Sequence, residues 1–383
     1  MSPDARPKLR VGIVFGGRSG EHEVSLMSAR SVAAALDPEK YEVVGIGVTR
    51  EGAWLLSGDP LAKLLQEAGA ELGPGPGRRS VALAPDPSSA ALVPLGESGA
   101  RARGAGLERR PDVIIPLIHG THGEDGSLQG LFELAELPYV GSGVLASAVG
   151  FDKGVFKAVM LAHGIPVVPY RLIVVPPRDK RTSAPGDEAW RTLAKELGYP
   201  LFVKPANGGS SLGVTKVKKE APLAAAIEAA AEYDRRVLLE RAVEGRELEC
   251  AVLWYEAPEA SIVGEVIPGH EFYDYEDKYF DDKARLEIPA RIAPDQAEAV
   301  RDLALRAFTA VDGAGMARVD FFLEAGTGAI YVNELNTIPG FTRISMYPKL
   351  WEASGLPFPR LLDRLILLAL ERAEEMRERK LSP

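Results

Sequence analysis

The segment LRVGIVFGGRSGEHEVSL, residues 9–26, most restricts what this chain can become. A β-branched run from Val11 to Phe15 reads as a buried strand, meets a glycine turn, and gives way to a helix pattern from Val24. A strand passed through glycines straight into a helix is the opening unit of an α/β sheet. Strands expected at 9–15, 43–48 and 112–118, with helices at 24–36 and 127–136, extend it to a small parallel sheet over residues 1–150. Helix N-termini attract anions, so such a turn ordinarily cradles a phosphate. Here it carries Glu21 and Glu23, which would repel pyrophosphate, and the G-x-G-x-x-G spacing of a dinucleotide site is absent.

Residues 69–110, rich in Gly, Pro, Ala and Arg, read as a surface excursion with short edge strands at VALAP and AALVPL. From about residue 151 the pattern changes. A helix at 152–163, PVVPYRLIVV, a helix near 187–197, YPLFVKPANGGSSLGVTKV, a helix at 221–232 and RVLLER form a compact α+β unit ending near 241. Beyond 242 come long strands at 246–255 and 260–267, an aromatic acidic loop, a helix at 295–311, a hairpin at 316–336 and an amphipathic helix at 357–378. A length of 383 residues suits two or three domains. A net charge of −9 argues against a nucleic-acid groove or an anionic membrane as partner. The single cysteine, Cys250, excludes an intrachain disulfide and a cysteine-rich metal site; within LECAVLW it reads as a small buried apolar residue. No signal-type apolar core and no run of apolar residues long enough to span a bilayer is visible, so the cytoplasm is the expected location.

Three stretches carry chemistry. FVKPANGGSSLGVTKV places Lys204 before a loop in which Gly208, Gly209 and Gly213 surround Ser210 and Ser211. Glycines let successive N–H groups converge on phosphate oxygens, and the lysine adds charge; taken alone, such a loop is more often a plain turn. In ARVDFFLEAGTGAIYVNELN, a turn centred on Thr327 sets Asp320 opposite Glu334 and Arg318 opposite Asn336. Alternation then gives all four one face. Two carboxylates and an amide oxygen suit Mg²⁺, and Arg318 can neutralise a phosphoryl group or an oxyanion. The bland alternative is a hairpin with exposed polar residues. Glu240, at a strand end, and Glu247 could hold an adenine edge and ribose hydroxyls, or be surface residues.

The order of Lys157, VKPANGGSSLG, ERAVEGRE, RVDFF and NELNTIPGFTRISMYPKLW resembles the ATP-grasp ligases. With GGRSGEHEVSL, IHGTHGEDGSLQG and FYDYEDKY, the chain closely resembles the D-alanine–D-alanine ligases over essentially its whole length. The resemblance implies a three-domain architecture of α/β and α+β parts. A Rossmann-like domain (1–150) would take the first D-alanine, followed by a central subdomain (151–241). A C-terminal subdomain (242–383) would carry the metal site and a lid loop (270–285). ATP is implied between the second and third domains, with Lys157, Lys204, Ser210 and Ser211 at the phosphates, Glu240 at adenine and Glu247 at ribose. Asp320, Glu334 and Asn336 match ligands of two Mg²⁺ ions, with Mn²⁺ as substitute and K⁺ as a monovalent activator. Glu21 matches the residue that receives the first D-alanine's ammonium, so the acidic turn would serve a cation; Ser210 and Tyr279 match its partners in a hydrogen-bonded triad.

His119 matches a substrate-facing histidine, and from sequence is equally one that ends a strand with only a hydrogen-bonding task. Lys278, Ser345 and Met346 match the second amino-acid position, Met346 through its backbone. Arg318 and an N–H near Gly340 are implied at the oxyanion. A homodimer is also implied. Glu23 and His122 match no role, Glu23 reading as a solvated or helix-capping carboxylate. Arg343 departs from the family, which often has a small hydroxyl residue there; a surface or dimer contact is expected, the alternative being an altered second subsite. Three rivals stand beside this reading. A D-alanine–D-lactate ligase typically replaces the tyrosine-bearing lid that YDYEDKY supplies here. A nucleotide-binding module without catalysis leaves the Arg318, Asp320, Glu334 and Asn336 set unused, and a different ATP-grasp ligase leaves the N-terminal motifs unexplained.

Overall fold

The computed structural model describes residues 7–57, 78–87, 92–95, 109–176, 185–209, 211–254, 257–268, 285–342 and 344–379. Strand β1 (Leu9–Gly16) leads into helix α1 (His22–Ala35), followed by β2 (Tyr41–Val48), β3 (Trp54–Ser57), β4 (Arg78–Leu83), β5 (Leu92–Pro94) and β6 (Val113–Pro116). Their sheet runs β5-β4-β3-β2-β1-β6. The alternation of strands and helices predicts a parallel sheet, and this holds for β2-β1-β6 only; from β2 to β5 the chain meanders antiparallel. The difference has a cause in connectivity. A parallel neighbour needs a crossover helix, whereas the short links at β2–β3 and β4–β5 permit only hairpin-type pairing. VALAP and AALVPL contribute the edge pair β4 and β5, as expected. The tip of β1 runs so close to the end of β2 that a Cβ on Gly16 would lie 2.2 Å from the Val48 carbonyl oxygen, and Gly16 holds φ +93°.

Helices α2 (Ser127–Leu134), α3 (Val144–Phe151) and α4 (Lys153–Ala162) lead to a second sheet. It comprises β7 (Tyr170–Val174), β8 (Leu201–Pro205), β9 (Thr215–Val217) and β10 (Arg236–Arg241), all antiparallel in the order β7-β10-β8-β9. With α5 (Pro185–Leu197) and α6 (Leu223–Ala230) it encloses its own core, including Val203, Val217, Ile227 and Leu239.

The third sheet is antiparallel: β11 (Gly245–Leu253), β12 (Glu259–Ile267), β13 (Arg285–Glu287), β14 (Met316–Glu324) and β15 (Ile330–Asn336), ordered β13-β12-β11-β14-β15. Alternation gives it two unlike faces. Cys250, Val252, Val319 and Phe321 point to a core closed by α4 and α7 (Pro294–Ala310) through Phe156, Met160 and Phe308. Cys250 is buried there, its thiol pushed up to about 12 by desolvation, which leaves it an inert packing residue. The opposite face is apolar at one end, where Ala251, Leu253 and Met316 meet α8 (Met346–Ala353) and α9 (Phe358–Glu378). At the other end the same face carries Glu247, Glu249, Arg318 and Asp320 into an open cleft.

Helix α9 also fastens this domain to the first. Asp363 accepts from Lys40 Nζ at 2.7 Å and from the Tyr41 hydroxyl at 2.8 Å. The Arg372 guanidinium lies 4.3 Å from the Tyr139 ring centre, and one buried cluster runs from Phe15 through Tyr347 to Leu365. Among the described residues no helix is long and apolar enough to cross a membrane.

Candidate active site

A cleft of about 1820 Å³ is lined by residues from the surroundings of all three sheets. Its floor is the polar end of the third sheet. Arg318 pairs with Asn336 and Asp320 with Glu334, the register expected from the sequence. The expected symmetric turn does not produce it. Near the tip, Leu323 pairs with Ile330 and Phe321 with Val332, and a bulge between Asp320 and Phe321 supplies the extra residue that brings Glu334 into line. Arg318 clamps Asp320 through Nε–Oδ1 at 2.7 Å and Nη2–Oδ2 at 2.6 Å, and its Nε lies 3.0 Å from Glu249 Oε2. Burial opposes the charge on Arg318, but Asp320 and Glu249 outweigh it and hold the guanidinium's pKa well above its ordinary value.

Asn336 donates through Nδ2 to Asp320 Oδ2 at 3.1 Å. Among the described residues no three His, Cys, Asp or Glu side chains form a metal cage. The face instead offers two carboxylates and an amide, a set that fits Mg²⁺, which keeps water and phosphate oxygens in its remaining positions.

The opposite wall is the second sheet. Lys157, on α4, and Lys204, on β8, are 0% and 9% exposed, and both reach Glu240, itself 2% exposed. Lys157 Nζ lies 2.5 Å from Oε2, and Lys204 pairs with Oε1. Burial pushes the Lys157 ammonium down, Glu240 pulls it partly back, and Lys204 adds to the fall. For Glu240, burial pushes upward, but the two lysines prevail and hold the carboxyl below its usual range. Two lysines converge on one carboxylate in a desolvated wall, where an anionic ligand would share them.

The helix bearing Lys157 is pinned at its start. Asp152 caps α4 by accepting the Val155 N–H at 2.8 Å, accepts from Asn207 Nδ2 at 2.8 Å, and pairs with Arg236. Lys153 donates to the Gly208 carbonyl at 2.7 Å and lies 3.9 Å from Glu334, so it bridges the glycine loop and the floor. Gly208, Gly209, Ser211, Glu240 and Glu247 all line the cleft.

The third wall comes from the first domain. Glu21 stands at the N-terminus of α1, 7% exposed. Its carboxylate lies against two glycines: a Cβ on Gly120 or Gly209 would sit 3.3 or 3.4 Å from its oxygens. The acidic turn and the glycine loop, far apart in sequence, therefore meet. His119 is buried beside them, with Nδ1 3.1 Å from the Ile338 carbonyl and Nε2 3.0 Å from the Ser28 hydroxyl. Desolvation lowers its pKa, yet Glu124 and Glu21 overcome this and raise it. The histidine thereby ties the first domain to the turn at 338–342. Within that turn the Ser345 hydroxyl accepts the Thr342 N–H at 3.0 Å and approaches Gly340, where a Cβ would come within 2.7 Å. The Met346 side chain enters the core against Gly264, so its backbone is the part left for the cleft.

Glu23 points away and pairs with Arg50 at 2.7 Å on the surface, a first-turn acid favourable to the helix dipole. His122 is exposed beside Asp125. Ser210, Lys278, Tyr279 and Arg343 lie outside the described residues, as does the lid loop apart from Arg285.

Several residues at the site escape a reading of the sequence. Ser28 has a signal, because Glu21, Ser25 and Ser28 form one helical stripe. Glu249 is two residues beyond Glu247 and therefore shares its strand face. Glu124 follows His119 in the same loop. For Lys153 no local signal exists.

Two family models match the chain: D-ala D-ala ligase N-terminus over residues 10–142 and D-ala D-ala ligase C-terminus over residues 159–367. A D-alanine–D-alanine ligase of Solibacter usitatus is 46% identical, covering 95% of this chain and 96% of that protein. One from Geobacillus kaustophilus is also 46% identical, over 96% of each. Among solved structures, the D-alanine-D-alanine ligase from Coxiella burnetii matches with a TM-score of 0.80 and 37% identity, covering 97% of this chain and 96% of that one. The VanG D-Ala:D-Ser ligase from Enterococcus faecalis matches at 0.81 and 34% identity, over 95% and 100%. The chain belongs to the D-alanine–D-alanine ligase family.

Proposed function

We propose that this chain joins two D-alanines into D-alanyl-D-alanine, converting ATP to ADP and phosphate, for peptidoglycan precursors. The observation that carries the reading is the meeting of two unlike sites in one cleft. An acid-armed glycine turn for an ammonium (Glu21) stands against a glycine loop, facing a carboxylate–guanidinium floor suited to phosphoryl transfer.

ATP occupies the space between the second and third sheets, its phosphates drawing Lys157 and Lys204 from Glu240, with Ser210 and Ser211 in the loop and Glu247 at the ribose. Mg²⁺ held by Asp320, Glu334 and the Asn336 amide oxygen supplies positive charge to the phosphoryl oxygens. Glu21 fixes the ammonium of the first D-alanine, so its carboxylate oxygen attacks the γ-phosphorus and ADP leaves. The product is an acylphosphate. The deprotonated amine of the second D-alanine, placed by Lys278, Ser345 and the Met346 backbone, attacks the acyl carbon. Arg318 and a backbone N–H near Gly340 stabilise the tetrahedral oxyanion. The C–O bond to phosphate then breaks and the dipeptide is released. The acylphosphate must be kept from water, a task the family resemblance gives to Ser210 and Tyr279 as partners of Glu21.

The same proposal includes two metal ions per site with Mn²⁺ as substitute, activation by K⁺, a cytoplasmic homodimer, and the three-part division of the chain at 150 and 241. The direct test is ADP release with D-alanine, L-alanine or D-lactate as the sole acceptor candidate. ADP should appear with D-alanine only, in step with dipeptide; a chain that releases no ADP in response to D-alanine is not this enzyme.

Glu21→Gln separates the amino-acid site from the nucleotide site. Breaking a buried charge pair costs about 2–5 kcal/mol, so the KM for the first D-alanine should rise at least about thirtyfold. ATP affinity should fall far less, because the nucleotide's charged partners are Lys157 and Lys204, which pair with Glu240 and not with Glu21. Collapse of ATP affinity would place the nucleotide at the acidic turn.

A further inference from the structure

Three carboxylates surround the Arg318 guanidinium, and the ligase chemistry gives work to only two, Asp320 and Glu334. The third, Glu249, is 6% exposed and lines the cleft. It stands directly across from Asp320 in the β11–β14 ladder, and its Oε2 lies 3.0 Å from Arg318 Nε. Asp320 meanwhile holds both Nε and Nη2.

These contacts set Asp320 two competing tasks. A carboxylate whose oxygens neutralise a divalent cation is a poorer acceptor for a guanidinium, so the Asp320 clamp must loosen when the metal is bound. An arginine released in a low-dielectric cleft would follow the nearest negative charge, which is then phosphate rather than the developing oxyanion. Glu249 approaches the guanidinium at its Nε edge. From there it can hold the side chain while leaving both Nη groups for the reacting oxygens. We infer that Glu249 is a positioning residue that keeps Arg318 aimed into the cleft when Asp320 turns to the metal, and is not itself a metal ligand. This rests on the ligase reading of the site.

The test uses Glu249→Gln, which keeps the volume and an acceptor, and Glu249→Ala, which removes both. Loss of an outer partner typically costs about 10–100-fold, so kcat should fall by about that much in Ala and by less in Gln. Binding of Mn²⁺ in the presence of ADP, followed by electron paramagnetic resonance, should stay within about threefold of the unsubstituted chain, as expected for a group outside the coordination sphere. Combined with Arg318→Lys, Glu249→Gln should cost less than about threefold more, because coupled residues are not additive.

Mn²⁺ binding weakened tenfold or more would make Glu249 a ligand and overturn the inference. So would an unchanged kcat in Ala, full additivity with Arg318→Lys, or failure of both single variants to fold. Failure of the ligase reading is distinguishable, since it appears in the unsubstituted chain as absence of D-alanine-dependent ADP release.

Discussion

Glu334→Gln is expected to lower dipeptide synthesis by more than about 10²-fold, beyond the 10–100-fold typical of losing an outer-sphere partner. Glu334 sits past the bulge of β15, directly across from Asp320, and is one of the two floor carboxylates proposed to hold the metal. Phosphoryl transfer depends almost wholly on positioning and charge, so a neutral amide at this point removes both the ligand's charge and its share of metal placement. The fold should survive, because Glu334 is only partly buried and the strand's packing rests on Val332 and Leu335. The check is steady-state turnover over a Mg²⁺ titration, with the melting temperature measured alongside. Turnover within about threefold of the parent at saturating Mg²⁺, the size of an effect expected without direct coupling, would remove Glu334 from the metal face.

Arg318→Lys should cost about 10²–10³-fold in kcat, the scale for loss of one oxyanion donor. The substitution keeps a positive charge but not the planar fork that engages Asp320 through two parallel contacts and Glu249 through a third. The two half-reactions should separate. Acylphosphate formation relies on the lysines and the metal, so ADP should form ahead of dipeptide, and the ratio of ADP to dipeptide should rise. Rapid-quench measurement of both products reads this directly. An unchanged ratio with an unchanged kcat would deny Arg318 a part in the second step.

The floor of this cleft is more legible in the sequence than its walls are. Alternation along a strand is a local rule, so the residue order alone puts Arg318, Asp320, Glu334 and Asn336 on one face. The register agrees with that expectation for an incomplete reason. A turn centred on Thr327 gives the observed pairs, but the pairing near the tip is offset by one residue and a bulge restores it. Nothing in ARVDFFLEAGTGAIYVNELN announces that bulge.

The Lys157–Glu240–Lys204 cluster lies beyond local rules altogether. It joins a helix that packs under the third sheet to two strands of the second, and only the tertiary fold brings those charges within reach. The antiparallel half of the first sheet is hidden for a different reason. Strand–helix alternation specifies the parallel crossovers, whereas β3 to β5 are short and flank a long compositionally biased stretch that carries no periodicity. The acidic turn is legible only as a puzzle. Its structural answer is Glu21 set against Gly209, a contact across 188 residues of sequence.

In the proposed reaction a phosphoryl group passes at the floor of the cleft to a carboxylate, which then surrenders one of its oxygens. The most direct measurement supplies D-alanine labelled with ¹⁸O in both carboxylate oxygens and determines the label in the phosphate released during dipeptide synthesis. The acylphosphate route requires every phosphate to leave carrying a single labelled oxygen taken from the first D-alanine. Unlabelled phosphate, formed in step with dipeptide, would contradict it.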